Sequence, residues 1–305
     1  REAGATGLWR IRPDELIWPS VSDPHKAVSA RGVSTAWHAA CERVGVAHVA
    51  IGSLRHLHAS TLMAAGVPPQ AVAIQVVIGL VVPVLAALYP VLSVLRVTEI
   101  FHSIQGESTH AGRPCVFVRL TGCPLRCTWC DTEYAFYGGS EWSIDTILDK
   151  VRSYECRLVE ITGGEPLAQP ACVALLARLC DEGFTVLLET SGAIETAPVD
   201  PRVSIILDVK CPGSGMADRM HWPNVERLRA QDEAKFVIKD RADYEWAKAT
   251  VARYNLDRRC TVLFSPVFGT LDPRELAEWV LADRLPVRYQ IQMHKYIWAP
   301  DMRGV

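Results

Sequence analysis

Three closely spaced cysteines are the strongest chemical signal in this sequence. They lie in the run Cys-Pro-Leu-Arg-Cys-Thr-Trp-Cys as Cys123, Cys127 and Cys130. Three thiolates at this spacing can bind one iron–sulfur cluster or one zinc ion. Cys115, the nearest preceding cysteine, lies in an apolar strand pattern, where a small buried hydrophobe is the more common role. A [4Fe–4S] cluster with three ligands leaves one iron open, and this iron can bind the amino and carboxylate groups of a small molecule.

A structural zinc site is the alternative, and its fourth ligand would be His102 or His110. The chain has 10 cysteines in 305 residues, which is too few for a disulfide scaffold and indicates a reducing compartment. Five further cysteines fall in helical or strand patterns, which predict buried and inert thiols. They are Cys156, Cys172, Cys180, Cys211 and Cys260.

Polar and glycine-containing boxes surround the cysteines. One precedes them, one leads into them, and the others follow later apolar runs. The boxes span residues 99–107, 117–122, 131–132, 161–166, 189–192, 208–212, 292–298 and 303–305.

The elements that must position these boxes alternate between strands and helices from Thr98 onward. This order predicts an α/β fold with a parallel sheet and right-handed crossovers. About six such units suggest an open, incomplete barrel whose function lies at the C-terminal ends of the strands. The predicted strands are 115–120, 158–162, 185–189, 204–209, 235–238, 261–264 and 289–293, and the predicted helices are 144–155, 171–182, 242–254 and 273–282.

Composition excludes several classes of protein. The chain has 32 basic and 34 acidic side chains, and 49% of its residues are hydrophobic. These values exclude a disordered polar chain and a basic nucleic-acid coat. Residues 97–305 hold 24 basic and 29 acidic side chains, so a phosphate backbone is a poor ligand and no nucleic-acid partner is predicted.

Residues 1–96 have a different pattern. We predict that they are an extraneous or fused segment, mostly helical or disordered, and that the protein is cytoplasmic. The stretch 71–95 is almost wholly apolar and is long enough to span a bilayer, so a membrane tether is the alternative; Pro83 and Pro90 interrupt it. Residues 54–60 resemble the Arg box of tyrosine recombinases, although Gly52 stands where that family has a histidine. Residues 78–97 resemble the last helix of bacterial permease subunits.

The spacing CxxxCxxC, followed by a glycine-rich strand end, resembles radical S-adenosylmethionine enzymes. The boxes narrow this resemblance. Gln105-Gly-Glu107, Cys130-Asp-Thr132 and His294-Lys-Tyr296, in this order, are similar to the 7-carboxy-7-deazaguanine synthases of 7-deazapurine (queuosine) biosynthesis. The similarity covers residues 97–305 and implies a (β/α)6-type partial barrel.

The resemblance implies a lyase that contracts the ring of 6-carboxy-5,6,7,8-tetrahydropterin to 7-carboxy-7-deazaguanine and releases ammonia. It also implies a [4Fe–4S] cluster, S-adenosylmethionine and Mg²⁺ as cofactors, a reductant such as flavodoxin or ferredoxin, and a homodimer. A different radical enzyme, such as an activase that installs a glycyl radical, is the alternative. A recombinase remnant or a membrane-anchored fusion is a further alternative of another class.

The implied site residues are consistent with the chemistry expected of them. An amide such as Gln105 offers a donor and an acceptor to a pterin edge, and the planar fork of Arg119 matches the substrate carboxylate. A hydroxyl such as Thr132 is a hard-oxygen ligand for Mg²⁺. By resemblance, the substrate contacts are Ile104, Gln105, Gly106, Arg119, Thr162 and His294. The S-adenosylmethionine contacts are Trp129, Gly164, Glu165, Ser191, Asp208 and Lys210.

Overall fold

The structure is a computed structural model that describes residues 19–20, 23–27 and 94–305. The chain divides into two units, Arg1–Val91 and Leu92–Val305. In the first unit, strands β1 (Pro19–Ser20) and β2 (Asp23–Ala27) pair antiparallel. The recombinase-like segment, the permease-like segment up to residue 93 and the apolar stretch up to the same residue lie outside the described residues.

The second unit contains one open sheet of nine strands in the order β11-β10-β9-β8-β7-β6-β4-β3-β5. The seven strands from β4 to β11 along this order are parallel, whereas β3 is antiparallel to both of its neighbours. An incomplete barrel is therefore confirmed. The strands are β3 (Val94–Ile104), β4 (Pro114–Leu120), β5 (Ser140–Ser143), β6 (Leu158–Gly163), β7 (Thr185–Thr190), β8 (Ser204–Asp208), β9 (Glu233–Ile238), β10 (Thr261–Pro266) and β11 (Arg288–Tyr289).

Helices connect most of the parallel strands, and three of the helices begin at a capping side chain, which is Ser143, Asp240 or Asp272. Ser143 Oγ accepts a hydrogen bond from the Thr146 amide at 3.1 Å, and an Asp272 oxygen accepts one from the Arg274 amide at 2.8 Å. The predicted start at Asp272 is confirmed. The helices are α1 (Ile144–Arg152), α2 (Ala171–Asp181), α3 (Pro223–Arg227), α4 (Arg241–Tyr254), α5 (Pro273–Asp283) and α6 (His294–Ile297). Among the described residues, none of the helices is long and apolar enough to cross a membrane.

The strands have two unlike faces because alternate side chains point to opposite sides of a sheet. One face packs against the helices and forms the main core, with Val118, Ile161 and Leu188 fully buried. The other face is apolar at the beginning of β4, β6, β7 and β8 and polar at their ends. Its apolar cluster contains Phe101, Cys115, Phe117, Leu158, Leu187 and Ile206. The polar side chains further along are Arg119, Glu160, Thr162, Glu189 and Asp208.

The structure corrects two predictions of secondary structure and adds strand β3, over which the sequence analysis predicted no strand. Strand β3 begins at Val94, three residues before the predicted domain boundary at 97, and Leu95 is fully buried in the core. Helix α1 was predicted to reach Glu155 but ends at Arg152, because Glu155 adopts a left-handed conformation with φ of 53°. The strand predicted over 289–293 is only two residues long, because the chain after it turns back towards the loop that follows β3. There the Met293 amide donates to the Gly106 carbonyl at 3.0 Å.

Candidate active site

A cavity of about 690 Å³ lies on the polar face of the sheet. The loop after β3, the cysteine loop after β4, the ends of β6 to β9 and the C-terminal segment form its wall. Fifteen of the sixteen predicted site residues line it, and their roles stay predictions. They are Ile104, Gln105, Gly106, Arg119, Cys123, Cys127, Trp129, Cys130, Thr132, Thr162, Gly164, Ser191, Asp208, Lys210 and His294.

The cysteine loop is held in place by contacts outside the thiols. Leu125 is buried at its centre, and the Thr128 amide donates to the Ser214 carbonyl at 3.1 Å. All three thiols are free and half-buried. Burial raises the pKa of each, so the thiolates need a cation to be stable.

The thiols fit a cluster better than a single zinc ion. Within residues 94–305, no three His, Cys, Asp or Glu side chains converge closely enough to hold one metal ion. Each iron of a cluster needs only one thiolate, and wider spacing is therefore acceptable. The two histidines of the zinc alternative lie elsewhere. His110 Nδ1 is 2.7 Å from a nitrogen of Arg113, and the exposed His102 stacks on Tyr154.

The end of β6 packs directly against the cysteine loop. A Cβ on Gly164 would lie 2.5 Å from the Gly122 carbonyl oxygen and 2.6 Å from Cys123 Cβ, so only glycine fits there. The Gly164 amide donates to the Leu120 carbonyl at 3.2 Å. Gly164 was predicted to let the backbone approach a cofactor; in the structure its lack of a side chain already serves the approach of the cysteine loop.

Glu165 is the one predicted residue that does not line the cavity. It is fully buried and accepts hydrogen bonds from Thr190 Oγ1 at 2.9 Å, the Ser191 amide at 2.8 Å and the Leu167 amide at 3.0 Å. Ser191 Oγ also donates to it, at 2.5 Å. Burial raises the pKa of Glu165 although these donors oppose the shift. The side chains of Glu165 and Ser191, both predicted to contact S-adenosylmethionine, therefore bind each other and tie the end of β6 to the end of β7.

The end of β8 contributes an ion pair next to the thiols. Lys210 Nζ lies 2.6 Å from Asp208 Oδ2. Burial opposes the charge of Lys210, but Asp208 and Cys127 raise its pKa. Asp208 Oδ1 is buried and, among the described residues, has no hydrogen-bond partner. This free acceptor at the cavity wall fits a polar ligand such as S-adenosylmethionine.

On the opposite wall, Arg119 already has a carboxylate partner within the protein. Its Nε donates to Glu99 Oε1 at 2.8 Å, and the Tyr134 hydroxyl donates to the same oxygen at 2.7 Å. Burial and Glu99 raise the pKa of Tyr134 to about 12. The two terminal nitrogens of Arg119 have no partner within residues 94–305, so they remain for a ligand. Arg119 was predicted to pair with the substrate carboxylate, and in the structure its Nε also pairs with Glu99.

Gln105 and Gly106 are also engaged by neighbouring side chains. Gln105 Oε1 accepts from the Glu107 amide at 3.1 Å, and its Nε2 donates to Glu160. A Cβ on Gly106 would collide with the ring of His294. Gly106 was predicted to let a flat ring approach its backbone; the ring that does so in the structure is the imidazole of His294. Burial and Lys295 lower the pKa of His294.

Thr132 presents an oxygen to the cavity with a fixed hydrogen-bond direction. Its hydroxyl donates to Asp131 Oδ1 at 2.8 Å, which leaves the lone pairs of the hydroxyl oxygen for another group. Asp131 Oδ2 accepts from Lys295 Nζ at 2.8 Å and Gln292 Nε2 at 3.3 Å. Hard oxygen atoms held in this way fit a Mg²⁺ ion that completes its shell with substrate and water.

Three charged residues that the sequence analysis gave no role lie at the centre of the cavity: Glu160, Glu189 and Lys235. Lys235 is only 3% exposed and contacts Glu189. Burial and Glu189 raise the pKa of Glu160 well above its ordinary value. The sequence contained a signal for two of these residues, because Glu160 and Lys235 are charged residues within otherwise apolar strands, as Arg119 is.

Comparison with known proteins identifies relatives of this arrangement. A family model described as the radical SAM superfamily matches residues 117–210. A 7-carboxy-7-deazaguanine synthase of Chlorobaculum tepidum is 49% identical over 69% of this chain and 97% of the relative. Another from Koribacter versatilis is 47% identical over 69% of this chain and all of the relative. The crystal structure of QueE from Escherichia coli matches with a TM-score of 0.56 at 25% identity, over 66% of this chain and 95% of that one.

Proposed function

The chain belongs to the 7-carboxy-7-deazaguanine synthase family of radical S-adenosylmethionine enzymes, and we propose that the cavity described above is its reaction site. The family's reaction contracts the ring of 6-carboxy-5,6,7,8-tetrahydropterin to 7-carboxy-7-deazaguanine and ammonia, a step of 7-deazapurine biosynthesis. The observation that carries the proposal is that one cavity joins three free thiols on one wall with Gln105, Arg119 and Thr162 on the other.

The cofactor wall would hold a [4Fe–4S] cluster through Cys123, Cys127 and Cys130. When bound, the cluster and S-adenosylmethionine supply the radical that begins the reaction. The close contact of Gly164, directly after β6, fixes the cysteine loop against the sheet, and the Glu165 hydrogen bonds fix the end of β7 beside it. The free oxygen of Asp208 accepts a polar group of S-adenosylmethionine, and the half-buried Trp129 covers the same wall.

The substrate wall binds a pterin by shape and hydrogen bonds. The terminal nitrogens of Arg119 take the substrate carboxylate, since Glu99 holds the guanidinium in place through Nε. Gln105, Thr162 and His294 contact the ring system, and the backbone of Ile104 and Gly106 closes one side. Thr132 would contribute its oxygen to a bound Mg²⁺ ion.

Partners and compartment follow from the same chemistry. A radical enzyme of this family needs a reductant, and we propose a one-electron carrier such as flavodoxin or ferredoxin. The nine cysteines in residues 94–305 are all free thiols, which supports a reducing compartment such as the cytoplasm. We also propose a homodimer and no nucleic-acid partner. Light scattering of the purified full chain measures its oligomeric state, and a monomer would remove the dimer from this proposal.

A turnover assay tests the function. The full chain is reconstituted with iron and sulfide without oxygen and receives dithionite, S-adenosylmethionine, Mg²⁺ and 6-carboxytetrahydropterin. Mass spectrometry then follows 7-carboxy-7-deazaguanine and 5′-deoxyadenosine. We expect both, with 7-carboxy-7-deazaguanine dependent on Mg²⁺. Formation of 5′-deoxyadenosine without the deazapurine would keep the superfamily chemistry and overturn the substrate.

A further inference from the structure

A buried lysine links two acidic side chains under the proposed substrate wall. Lys235 lies in β9, and its Nζ contacts Glu189 Oε1 and lies 3.3 Å from Glu107 Oε2. The second oxygen of Glu189 accepts a hydrogen bond from Thr162 Oγ1 at 3.1 Å. All four residues line the cavity. Lys235, Glu189 and Thr162 therefore form a continuous hydrogen-bond chain that ends at a proposed substrate contact.

The donor and acceptor capacities of the three side chains fix the direction of the hydrogen bonds between them. An ammonium group can only donate, and an ionised carboxylate can only accept. With Lys235 on one oxygen, Glu189 accepts at both ends, so Thr162 must give its single hydroxyl proton to Glu189. The lone pairs of Thr162 Oγ1 are then left, and towards a ligand this hydroxyl can only accept. A protonated Glu189 could instead donate to Thr162 and free the hydroxyl proton for the ligand.

The charges around Glu189 support the ionised form. Burial acts to raise the pKa of Glu189, but Lys235 and the Thr162 hydroxyl together lower it below the ordinary value. Among the described residues, Lys235 is the cation in direct contact with Glu189. Lys210 is more distant and already pairs with Asp208. Lys235 is thus the group that sets the direction of the hydrogen bond between Thr162 and Glu189.

We propose that Lys235 is a positioning residue that holds Glu189 as an acceptor, so that Thr162 accepts a hydrogen bond from an N–H group of the substrate. This inference rests on the proposed function, in which Thr162 contacts the pterin. A reduced pterin carries several N–H donors, whereas its carbonyl and carboxylate oxygens only accept. The hydrogen bonds from Lys235 through Glu189 to Thr162 therefore determine which edge of the pterin ring system faces β6. They add a determinant of substrate orientation to the proposed site.

A double-mutant cycle in the reconstituted full chain tests the proposal. Lys235→Met and Thr162→Val are each expected to raise the KM for 6-carboxytetrahydropterin roughly tenfold, the equivalent of one hydrogen bond in a buried site. The kcat and the affinity for S-adenosylmethionine are expected to change little. Because both changes remove the same contact, the double variant should be no worse than either single variant. Lys235→Arg keeps the cation and should recover most of the affinity.

Asp232→Asn is the matched control for the loss of a buried charge at the start of the same strand. Asp232 is buried and binds Arg229 and the Ile205 amide outside the cavity, so its loss should lower the melting temperature and leave KM unchanged. The inference would be overturned if the KM effects of the two substitutions multiply in the double variant, or if either single variant leaves KM unchanged. If the wild type forms no 7-carboxy-7-deazaguanine, the proposed function itself is overturned.

Discussion

Two glutamates at the strand ends of the cavity, Glu165 and Glu189, are held in opposite ways. Among the described residues, Glu165 has no cation beside it and accepts hydrogen bonds from neutral donors alone, two of them backbone amides. Glu189 contacts the ammonium of Lys235 and accepts from one hydroxyl. The first carboxylate is closed off from the cavity, whereas the second lines it.

This difference indicates that the two carboxylates have different roles. Around Glu165, polar groups of the chain satisfy one another and fix the backbone against the cysteine loop. On the substrate wall, some polar atoms lack partners within the described residues: Glu107 Oε1 and the terminal nitrogens of Arg119. Unfilled hydrogen-bonding capacity is costly in a buried site unless a ligand fills it. The hydrogen bonds of Glu165 therefore fix the backbone, whereas the atoms without a partner, which include Asp208 Oδ1 on the cofactor wall, are available to a ligand.

The largest expected effect comes from breaking the cofactor wall at a thiol. Cys127→Ala removes one of three cluster ligands, so we expect loss of the cluster absorbance near 400 nm and of both 7-carboxy-7-deazaguanine and 5′-deoxyadenosine. Cys180→Ala is the matched control, because this free thiol lies on α2 away from the cavity. Retention of 5′-deoxyadenosine formation by the Cys127 variant would contradict the assignment of the cofactor wall.

Glu165→Gln and Glu189→Gln test the comparison directly. A glutamine at 165 places an NH₂ group against donors, so we expect the free energy of unfolding to fall by about 2–4 kcal/mol with little change in substrate KM. A glutamine at 189 can donate to Thr162, which reverses that hydrogen bond; we expect KM to rise roughly tenfold with a smaller loss of stability. Chemical denaturation and initial rates measure both quantities. Equal effects on stability and KM in the two variants would erase the distinction between the two carboxylates.

The sequence predicted the cavity better than the contacts inside it. The predicted motifs follow strand ends, and parallel strands bring their C-terminal ends to one edge, so fifteen of the predicted residues line one cavity, while their roles stay predictions. Partners of buried charges were not predictable in this way. Glu99 is 20 residues from Arg119, and Glu189 is 46 residues from Lys235. Strand order alone brings these pairs together.

Two strands were missed for a related reason. Strand β5 (Ser140–Ser143) is short and mostly exposed, and it exists because it pairs with the beginning of β3. The first residues of β3 continue the apolar stretch 71–95, which concealed the start of the strand in the sequence. Local pattern cannot reveal an edge strand whose stability comes from its neighbour.

The start of β3 also supports the cofactor wall. The Arg96 amide donates to Gln169 Oε1 at 2.8 Å, and Gln169 Nε2 donates to the Arg96 carbonyl at 2.9 Å, close to the turn that follows Glu165. We expect a fragment of residues 92–305 to keep full activity. A fragment of residues 97–305 should lose about 2–3 kcal/mol of stability, because it lacks the fully buried Leu95. Thermal unfolding with S-adenosylmethionine cleavage measures the difference, and equal stability would restore the boundary at 97.

The smallest expected effect concerns the pH response of the substrate wall. Burial and Lys295 lower the pKa of His294 in the folded protein. In the unfolded chain the imidazole has its ordinary pKa of about 6.5, so the unfolded chain binds the proton more readily than the folded protein does. Stability of the wild type relative to His294→Gln should therefore decrease as the pH falls below that value, and remain constant above it. Urea unfolding from pH 5 to pH 8 measures this difference, and NMR titration of the imidazole resonance that disappears in His294→Gln measures the pKa itself. A stability difference that grows in acid would mean that the ring beside Gly106 carries a charge, and that the substrate wall recognises its ligand through a cation there.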